Sequence, residues 1–198
     1  MSAAPPPREP TRRLFFALWP KEEQRRALFE ATHQAVSACG GRAVPVQNLH
    51  ATLAFLGSVA ERRIGELQET ARRVALAFVP EPRPLSVHFN ELAHWLRPQI
   101  LVALSGAEAG AAGCLAAVLR SEAQAAGFSP DLKPFHAHVT LARKVARAPA
   151  LSMASAVTWT FDAFALVQSS GNAEGAAYSV VQSYLLVKHE KAHGQPQN

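Results

Sequence analysis

The sequence predicts an α+β fold of two pseudo-symmetric lobes, each with an antiparallel sheet and outer helices, with a groove between them. The first reason is that strand-like and helix-like stretches alternate along most of the chain. The second is that one strand pattern, with a histidine and a threonine two residues apart, occurs twice at corresponding places. We therefore expect a disordered arm at residues 1–12, a single bilobal domain at 13–188, and a flexible tail at 189–198.

The composition supports a packed core rather than an unfolded chain. Of the 198 residues, 48% are hydrophobic and 18% are charged, which is too apolar for intrinsic disorder outside the ends. No uninterrupted apolar run, Leu14 to Trp19 among them, approaches the ~20 residues that a membrane-spanning helix needs. Pro20 and the charged residues after it end this run, which argues against a signal peptide. We expect a cytoplasmic monomer with no membrane partner.

The first half of the chain is predicted to contain two strands and two helices. The expected elements are a strand at Arg13 to Leu18, a helix from Pro20 to Cys39, a strand at about His50 to Leu56, and a helix at about Glu61 to Phe78. The strands are short apolar runs, and the helices carry apolar residues at three- and four-residue steps. The proline-rich stretch Pro80 to Pro84 is predicted to cross to the second lobe.

The second half repeats the alternation with more strands. The expected elements are strands at Leu85 to Glu91, Ile100 to Leu104, Pro134 to Ala142, Thr158 to Gln168 and Tyr178 to Val187, and an alanine-rich helix at Glu108 to Ala126. On this helix, Leu115, Val118 and Leu119 are predicted to face inward. Gly171 and Gly175 predict a turn between the last two strands.

Charge and special residues narrow the possible functions. The net charge of +5 favours an anionic partner such as a nucleotide or an RNA end. Cys39 and Cys114 are too few for a disulfide scaffold and are predicted to be buried thiols. Trp19, Trp95 and Trp159 are predicted to pack in the core or between the lobes rather than to stack on bases. No glycine-rich loop with a following lysine is present, which disfavours an ATP-dependent enzyme, and no cofactor is expected.

One short pattern occurs in both halves. The residues His50-Ala51-Thr52-Leu53 recur as His138-Val139-Thr140-Leu141, each within an extended apolar stretch. Because strand side chains alternate between faces, the histidine and the threonine of each copy are expected on one face. The residues between them, and Phe55 after the first copy, are expected on the core face.

This pair of residue types suits chemistry on a phosphate. An imidazole titrates near neutrality, and a threonine hydroxyl can donate a hydrogen bond to a phosphate oxygen. Two such pairs that face each other would bracket a phosphate group. One histidine would activate the attacking oxygen while the other protonates the leaving oxygen, without a metal ion.

Other interpretations of the same residues remain open. His136 is predicted on the same strand face as His138, so that these two and His50 could form a three-histidine metal site in a metal-dependent hydrolase. The chain could also be an RNA- or nucleotide-binding module without turnover. The simplest structural alternative is two half-buried histidines, each satisfied by a neighbouring hydroxyl.

The two motifs resemble the paired His-x-Thr-x signatures of the two-histidine (2H) phosphoesterase superfamily. The flanking sequences Arg13 to Leu18, Asn48 to Gly57 and His138 to Arg143 are similar to those of the bacterial and archaeal RNA 2′,3′-cyclic phosphodiesterases, also called 2′-5′ RNA ligases. Leu166 to Ser169, with Tyr178 beyond a glycine turn, resembles the closing hairpin of that family. The resemblance spans nearly the whole folded part. The sequence departs from the family in one place, because Ala137 stands where proline is common.

The resemblance implies an activity and roles for five residues. The activity is hydrolysis of RNA 2′,3′-cyclic phosphate ends, or of a small cyclic nucleotide, to leave a 2′-phosphate, with 2′-5′ ligation as the related reverse chemistry. His50 would be the proton donor and His138 the proton acceptor. Thr52 and Thr140 would hold the phosphate. Arg143 would add a charge-assisted contact to it.

Overall fold

The computed structural model describes residues 9–78, 84–106, 110–147, 152–172 and 175–186. These residues form antiparallel strands and three α-helices, which confirms the predicted α+β class. The strands are β1 (Thr11–Leu18), β2 (Arg42–Ala43), β3 (Ala51–Ala60), β4 (Leu85–Phe89), β5 (Glu91–Trp95), β6 (Ile100–Leu104), β7 (His138–Arg143), β8 (Val157–Phe161), β9 (Ala163–Asn172) and β10 (Gly175–Leu185). The helices are α1 (Glu22–Ala38), α2 (Ile64–Ala77) and α3 (Gly110–Ala125). Within the described ranges, no helix has the length and apolar character needed to cross a membrane.

Most of the strands belong to one sheet. Its order is β10-β9-β1-β3-β7-β6-β5, with β2 attached to β7, while β4 and β8 form a separate two-stranded sheet. The two motif strands, β3 and β7, are neighbours in this order and are joined at the residue pair Ala51 and Val139. Strands that were expected in two separate sheets therefore share one sheet with a narrow junction. The division into two lobes stays a prediction.

The central strand β1 shows which face of the sheet is covered. All residues from Leu14 to Leu18 are buried, because β1 lies between β3 and β9. Leu14, Phe16 and Leu18 belong to the main core, whereas Phe15 and Ala17 pack in a small cluster on the other side of the strand. The main core also contains the buried faces of all three helices. The helices therefore cover one face of the sheet, and the Phe15 side is left for the functional site.

Two predicted strands are divided in the structure, and a third begins later than predicted. The stretch from Leu85 to Glu91 is divided at Asn90, because β4 pairs in the small sheet and β5 pairs with β6 in the large one. The stretch from Thr158 to Gln168 is divided at Asp162 for the same reason, since β8 pairs with β4 and β9 with β1. The strand expected from Pro134 begins only at His138. The points at which the chain passes from one sheet to the other could not be predicted, because they interrupt stretches that the sequence pattern indicates as single strands.

The buried face of α3 includes fewer of its apolar residues than the sequence predicts. Ala112, Leu115, Ala116, Leu119 and Ala123 are buried at three- and four-residue steps. Cys114 and Val118 lie on the opposite face and are exposed, so the predictions of a buried Cys114 and an inward Val118 are wrong. Cys39, by contrast, is buried as predicted.

The remaining differences concern short segments. Thr11 and Arg12 were placed in the arm, but they begin β1 and pair with Ala60 and Val59. The two-residue strand β2 was not predicted. Most of the proline-rich crossing, residues 80–83, lies outside the described residues, as do residues 1–8 of the arm and the whole predicted tail.

Candidate active site

The two His-x-Thr motifs lie side by side on the sheet. His50 directly precedes β3 and Thr52 is the second residue of that strand, while His138 and Thr140 are the first and third residues of β7. All four side chains line a cavity of about 450 Å3. The structure thus brings together the four residues that the repeat indicated, as expected from the alternation of strand side chains.

Each motif strand contains a β-bulge at the leucine that follows its threonine. Along β1, Phe16 pairs with Ala54 and Ala17 with Thr52, so that Leu53 is the extra residue on β3. Along β6, Leu101 pairs with Ala142 and Val102 with Thr140, so that Leu141 is the extra residue on β7. Both leucines are buried in the main core. Because an extra residue shifts the alternation, the faces reverse beyond each bulge.

The bulges turn one further residue of each strand toward the cavity. The prediction that Phe55 faces the core is wrong: it lies three residues after Thr52, beyond the bulge, and lines the cavity. Arg143 lies three residues after Thr140 and lines the cavity in the same way. Simple alternation from His138 would have placed the Arg143 side chain on the opposite face.

The same hydrogen bond fixes the orientation of both imidazoles. His50 Nδ1 is 2.7 Å from the carbonyl oxygen of Asn48, and His138 Nδ1 is 2.7 Å from the carbonyl oxygen of His136. A carbonyl oxygen only accepts hydrogen bonds, so Nδ1 carries the proton in both rings. The neutral form of each ring therefore has its lone pair on Nε2. Nε2 is the nitrogen that can exchange a proton with a bound group.

Aromatic rings surround His50 more completely than His138. The ring centroid of His50 lies 5.0 Å from Phe15, 5.4 Å from Trp19 and 4.9 Å from Tyr178. The ring of His138 lies 4.6 Å from Trp95. Phe15, Trp95 and Tyr178 lie on β1, β5 and β10, and Trp19 directly follows β1, so no local pattern around the motifs pointed to these contacts. The prediction of core packing is confirmed for Trp159, which is fully buried, whereas Trp19 and Trp95 contact the two histidines.

The enclosure changes the protonation of both histidines. Desolvation lowers the pKa of His50 to about 4, and the positive charges of Arg143, His138 and Arg25 add to this effect. Desolvation also lowers the pKa of His138. In each case the hydrogen bond from Nδ1 opposes the shift. Both imidazoles are therefore neutral at neutral pH in the free protein, because burial penalises their charged forms.

Two guanidinium groups give the cavity a positive charge. Arg143 and Arg13 both line it, and Arg13 lies 5.4 Å from the ring centroid of Phe55. A guanidinium presents several donors in a plane that matches phosphate oxygens. Sequence reasoning placed Arg13 at the start of a strand and gave it no role. The only hint of a role was the positive charge next to an aromatic run.

Arg25 contacts two neighbours of His50, namely Leu49 and Trp19. Its Nε donates a hydrogen bond to the carbonyl oxygen of Leu49 at 3.2 Å, and its guanidinium lies 4.9 Å from the centroid of Trp19. Trp19 in turn stacks on His50 with an angle of 23° between the rings. Arg25 therefore holds both the residue before His50 and one ring that contacts it.

The structure does not assemble the three-histidine metal site. Within the described residues, which include His50, His136 and His138, no group of three His, Cys, Asp or Glu side chains could hold a metal ion. His136 precedes β7 instead of lying in it, and its side chain is exposed. Its carbonyl group, rather than its imidazole, contacts His138. The prediction that His136 lies on the strand of His138 is therefore wrong, although both side chains line a further cavity.

Comparison with known proteins assigns the family. Residues 18–101, which include the first motif, match the family described as LigT like phosphoesterase. The chain is 32% identical over 193 residues to the RNA 2′,3′-cyclic phosphodiesterase of Thermus thermophilus, over 93% of this chain and 94% of the relative. It is 34% identical over 140 residues to the protein of the same name from Escherichia coli, over 69% of this chain and 74% of the relative.

A solved structure agrees with this assignment. Escherichia coli LigT complexed with 3′-AMP is similar to this chain with a TM-score of 0.76 and 27% sequence identity, over 90% of this chain and 100% of that one. The match to the Thermus thermophilus relative extends over nearly the full length of both chains, so the positions of both motifs lie within it. The protein therefore belongs to the RNA 2′,3′-cyclic phosphodiesterase family of LigT-like 2H phosphoesterases.

Proposed function

We propose that the protein hydrolyses RNA 2′,3′-cyclic phosphate ends to 2′-phosphate ends, with His50 as the proton donor and His138 as the proton acceptor. The observation that carries the proposal is the pair of imidazoles at one cavity, each with its Nδ1 proton committed to a backbone carbonyl. The cavity is taken to be the groove between the two predicted lobes. The family assignment supports the choice of substrate.

The reaction is an in-line displacement at phosphorus. The Nε2 atom of His138 takes a proton from water as the water oxygen forms a bond to phosphorus. The bond from phosphorus to the 3′-oxygen breaks, and His50 donates its Nε2 proton to that oxygen. General acid–base catalysis of this kind contributes about 10²–10⁴-fold for each well-placed group. Exchange of protons with solvent restores both histidines for the next turnover.

The phosphate itself sets the protonation that this scheme needs. In the free protein, burial holds the pKa of His50 at about 4, so the proton donor is not charged at neutral pH. A cyclic phosphate carries one negative charge, and a negative charge beside an imidazole raises its pKa. Binding of the anion between the two rings therefore favours uptake of the proton that His50 then donates.

The other cavity residues act on the phosphate oxygens. The hydroxyls of Thr52 and Thr140 donate hydrogen bonds, and the guanidinium of Arg143 adds charge-assisted ones. These oxygens gain negative charge as water attacks, so donors aimed at them stabilise the transition state more than the bound substrate. The rings of Phe15, Tyr178 and Phe55 enclose the same space.

Nucleotide complexes of the Escherichia coli relative agree with an RNA end as the substrate. Its solved structures include complexes with 3′-AMP and with ATP. With an alcohol in place of water, the same displacement would join two RNA ends through a 2′-5′ linkage. We include this ligation in the proposal as the reverse of cleavage at a 2′-5′ diester.

The test is turnover of cytidine 2′,3′-cyclic phosphate in the presence of EDTA. We expect cytidine 2′-phosphate from the wild-type protein and a loss of at least 100-fold in kcat for His50→Ala and for His138→Ala. His88→Ala is the matched control, because His88 is exposed and paired with Thr158 outside the cavity. Loss of turnover in EDTA would favour a metal-dependent hydrolase, and tight binding without product would favour a binding module. Either result would contradict the proposal.

A further inference from the structure

A second cavity adjoins the first on the His138 side. Its volume is about 380 Å3, and it shares Thr52, Phe55 and His138 with the first cavity. Both volumes lie in the range of about 300–1,000 Å3 that is typical of small-molecule sites. The chemistry proposed above takes place in the first cavity and leaves the second one without a role.

Two aromatic rings and a fixed arginine shape the second cavity. Trp95 and Phe135 both line it, and the ring of Trp95 also contacts His138. The guanidinium of Arg120 donates hydrogen bonds to the carbonyl oxygens of Lys133 and Leu53, at 2.8 and 3.2 Å. It also lies 5.9 Å from the ring centroid of Phe135. Arg120 thus ties the segment that carries Phe135 to strand β3, so that the cavity is preformed.

One pair of opposite charges lies at the rim of this cavity. The Lys133 ammonium is 3.4 Å from Asp131, and its side chain is 85% exposed. The interior is lined by the rings of Trp95 and Phe135 and by the guanidinium of Arg120, two of whose N–H groups are bonded to backbone carbonyls. A flat, mostly apolar group that stacks on aromatic rings fits such a space, and a nucleobase is a group of this kind.

The position of the cavity defines which nucleoside it would take. It adjoins His138, the proton acceptor of the proposed function, and the attacking oxygen lies on that side of the phosphate. A group bound in the second cavity is therefore attached to the nucleophile and not to the leaving 3′-oxygen. Water has no such group, whereas the 5′-hydroxyl of an RNA end has a ribose and a base.

We propose that the second cavity, lined by Trp95 and Phe135, binds the nucleoside of a 5′-hydroxyl end, so that this alcohol competes with water for the cyclic phosphate. This inference rests on the proposed function. The 5′-oxygen forms a bond to phosphorus and gives its proton to His138 Nε2. The bond from phosphorus to the 3′-oxygen breaks, and His50 protonates that oxygen. The product is a 2′-5′ phosphodiester, and no other reactant is needed.

The test measures how one pool of cytidine 2′,3′-cyclic phosphate divides between two products. The acceptor is 2′,3′-dideoxyadenosine, which has only a 5′-hydroxyl, and methanol is the matched acceptor without a base. For the wild-type protein, we expect the ratio of transfer to hydrolysis to saturate with dideoxyadenosine and to rise linearly with methanol. Because both products arise from the same bound phosphate, this ratio is independent of the rate of the shared chemistry.

Substitutions at Phe135 then locate the acceptor. Phe135→Ala removes a stacking surface, so the transfer ratio with dideoxyadenosine should fall by about 5- to 150-fold, while the ratio with methanol stays constant. Phe135→Leu keeps most of the apolar volume, and should cause the same selective fall if stacking is the cause. Leu132→Ala, at an exposed neighbouring position, is the control.

Each outcome decides between the inference and the function on which it rests. If the wild-type protein hydrolyses the cyclic phosphate but the ratio of transfer to hydrolysis does not saturate with dideoxyadenosine, the second cavity is not an acceptor site. The proposed function then stays intact. An equal fall for both acceptors in Phe135→Ala would also overturn it, because it would show damage to the chemistry. If the wild-type protein hydrolyses no cyclic phosphate, the proposed function and this inference both fail.

Discussion

The burial of His50 should make the protein less stable in acid, in a pH range that the structure defines. The folded-state pKa of His50 is about 4, against 6.5 for an unperturbed histidine. Between these values the unfolded chain binds a proton that the folded protein does not, so stability falls as the pH falls from 6.5 to 4. Above pH 6.5 the contribution is absent, because neither state is protonated. At one pKa unit per 1.36 kcal/mol, the full effect is about 3 kcal/mol below pH 4.

The substitution His50→Gln removes this titration and keeps a neutral polar side chain at position 50. The free energies of unfolding of both proteins are measured by urea denaturation at pH 7.5 and at pH 5. The difference in free energy of unfolding, variant minus wild type, should be about 2 kcal/mol more positive at pH 5 than at pH 7.5, whatever the stability of the variant at pH 7.5. The control His88→Gln removes an exposed histidine outside the cavity. A difference between wild type and His50→Gln that is the same at both pH values would refute the desolvation of His50.

Three further predictions concern the rate of hydrolysis. Thr52→Val and Thr140→Val should each lower kcat by about 100-fold, because each removes a hydrogen-bond donor aimed at developing negative charge. Circular dichroism should show an unchanged fold. Full activity of both variants would show that the hydroxyls serve only in packing. Because burial lowers the pKa of both histidines in the free protein, kcat/KM should decline above pH 6.5. The pH profile of kcat should be shifted to higher pH, because the bound anion raises the pKa of both histidines in the complex. If the two profiles coincide, this prediction is contradicted. Arg25→Met should raise the pKa of His50, followed by NMR titration, and lower kcat about tenfold through loss of the hydrogen bond to Leu49. The neighbour Arg26, which pairs with Glu22 on the exposed face of α1, is the control, and an equal effect of Arg26→Met would remove the special role of Arg25.

The part of the site that depends on local periodicity could be predicted from the sequence. His50, Thr52, His138 and Thr140 share a cavity because residues two apart on a strand point the same way. Their meeting at one site was suggested by the repetition and by the resemblance to the family, although the two strands were expected in separate sheets. The resemblance to a family supplied Arg143, whose side chain simple alternation would have directed away from the site.

The rest of the site depends on pairing between distant strands. A bulge at Leu53 or Leu141 is defined by the residues of β1 and β6 that oppose it, so the sequence of the motif strand does not show it. Trp19, just after β1, and Trp95, on β5, contact the histidines from other parts of the chain, and an isolated tryptophan is typical of a core as much as of a site. The exposure of Cys114 could not be predicted for a related reason. From Gly110 to Leu119, every residue of α3 is small or apolar, so composition does not show which face is buried.

The division of roles between the two histidines is the central claim, and a change of leaving group tests it most directly. A 3′-deoxynucleoside 2′-(4-nitrophenyl phosphate) has no 3′-hydroxyl to attack phosphorus, and on hydrolysis it loses nitrophenolate, a leaving group that needs no proton. The measurement is kcat/KM of His50→Ala and His138→Ala on this ester and on the cyclic phosphate. We expect His50→Ala to lose at least 100-fold on the cyclic phosphate and less than tenfold on the ester, while His138→Ala loses at least 100-fold on both. The reverse pattern would exchange the roles of the two histidines, and equal losses for both variants on both substrates would contradict acid–base catalysis by this pair.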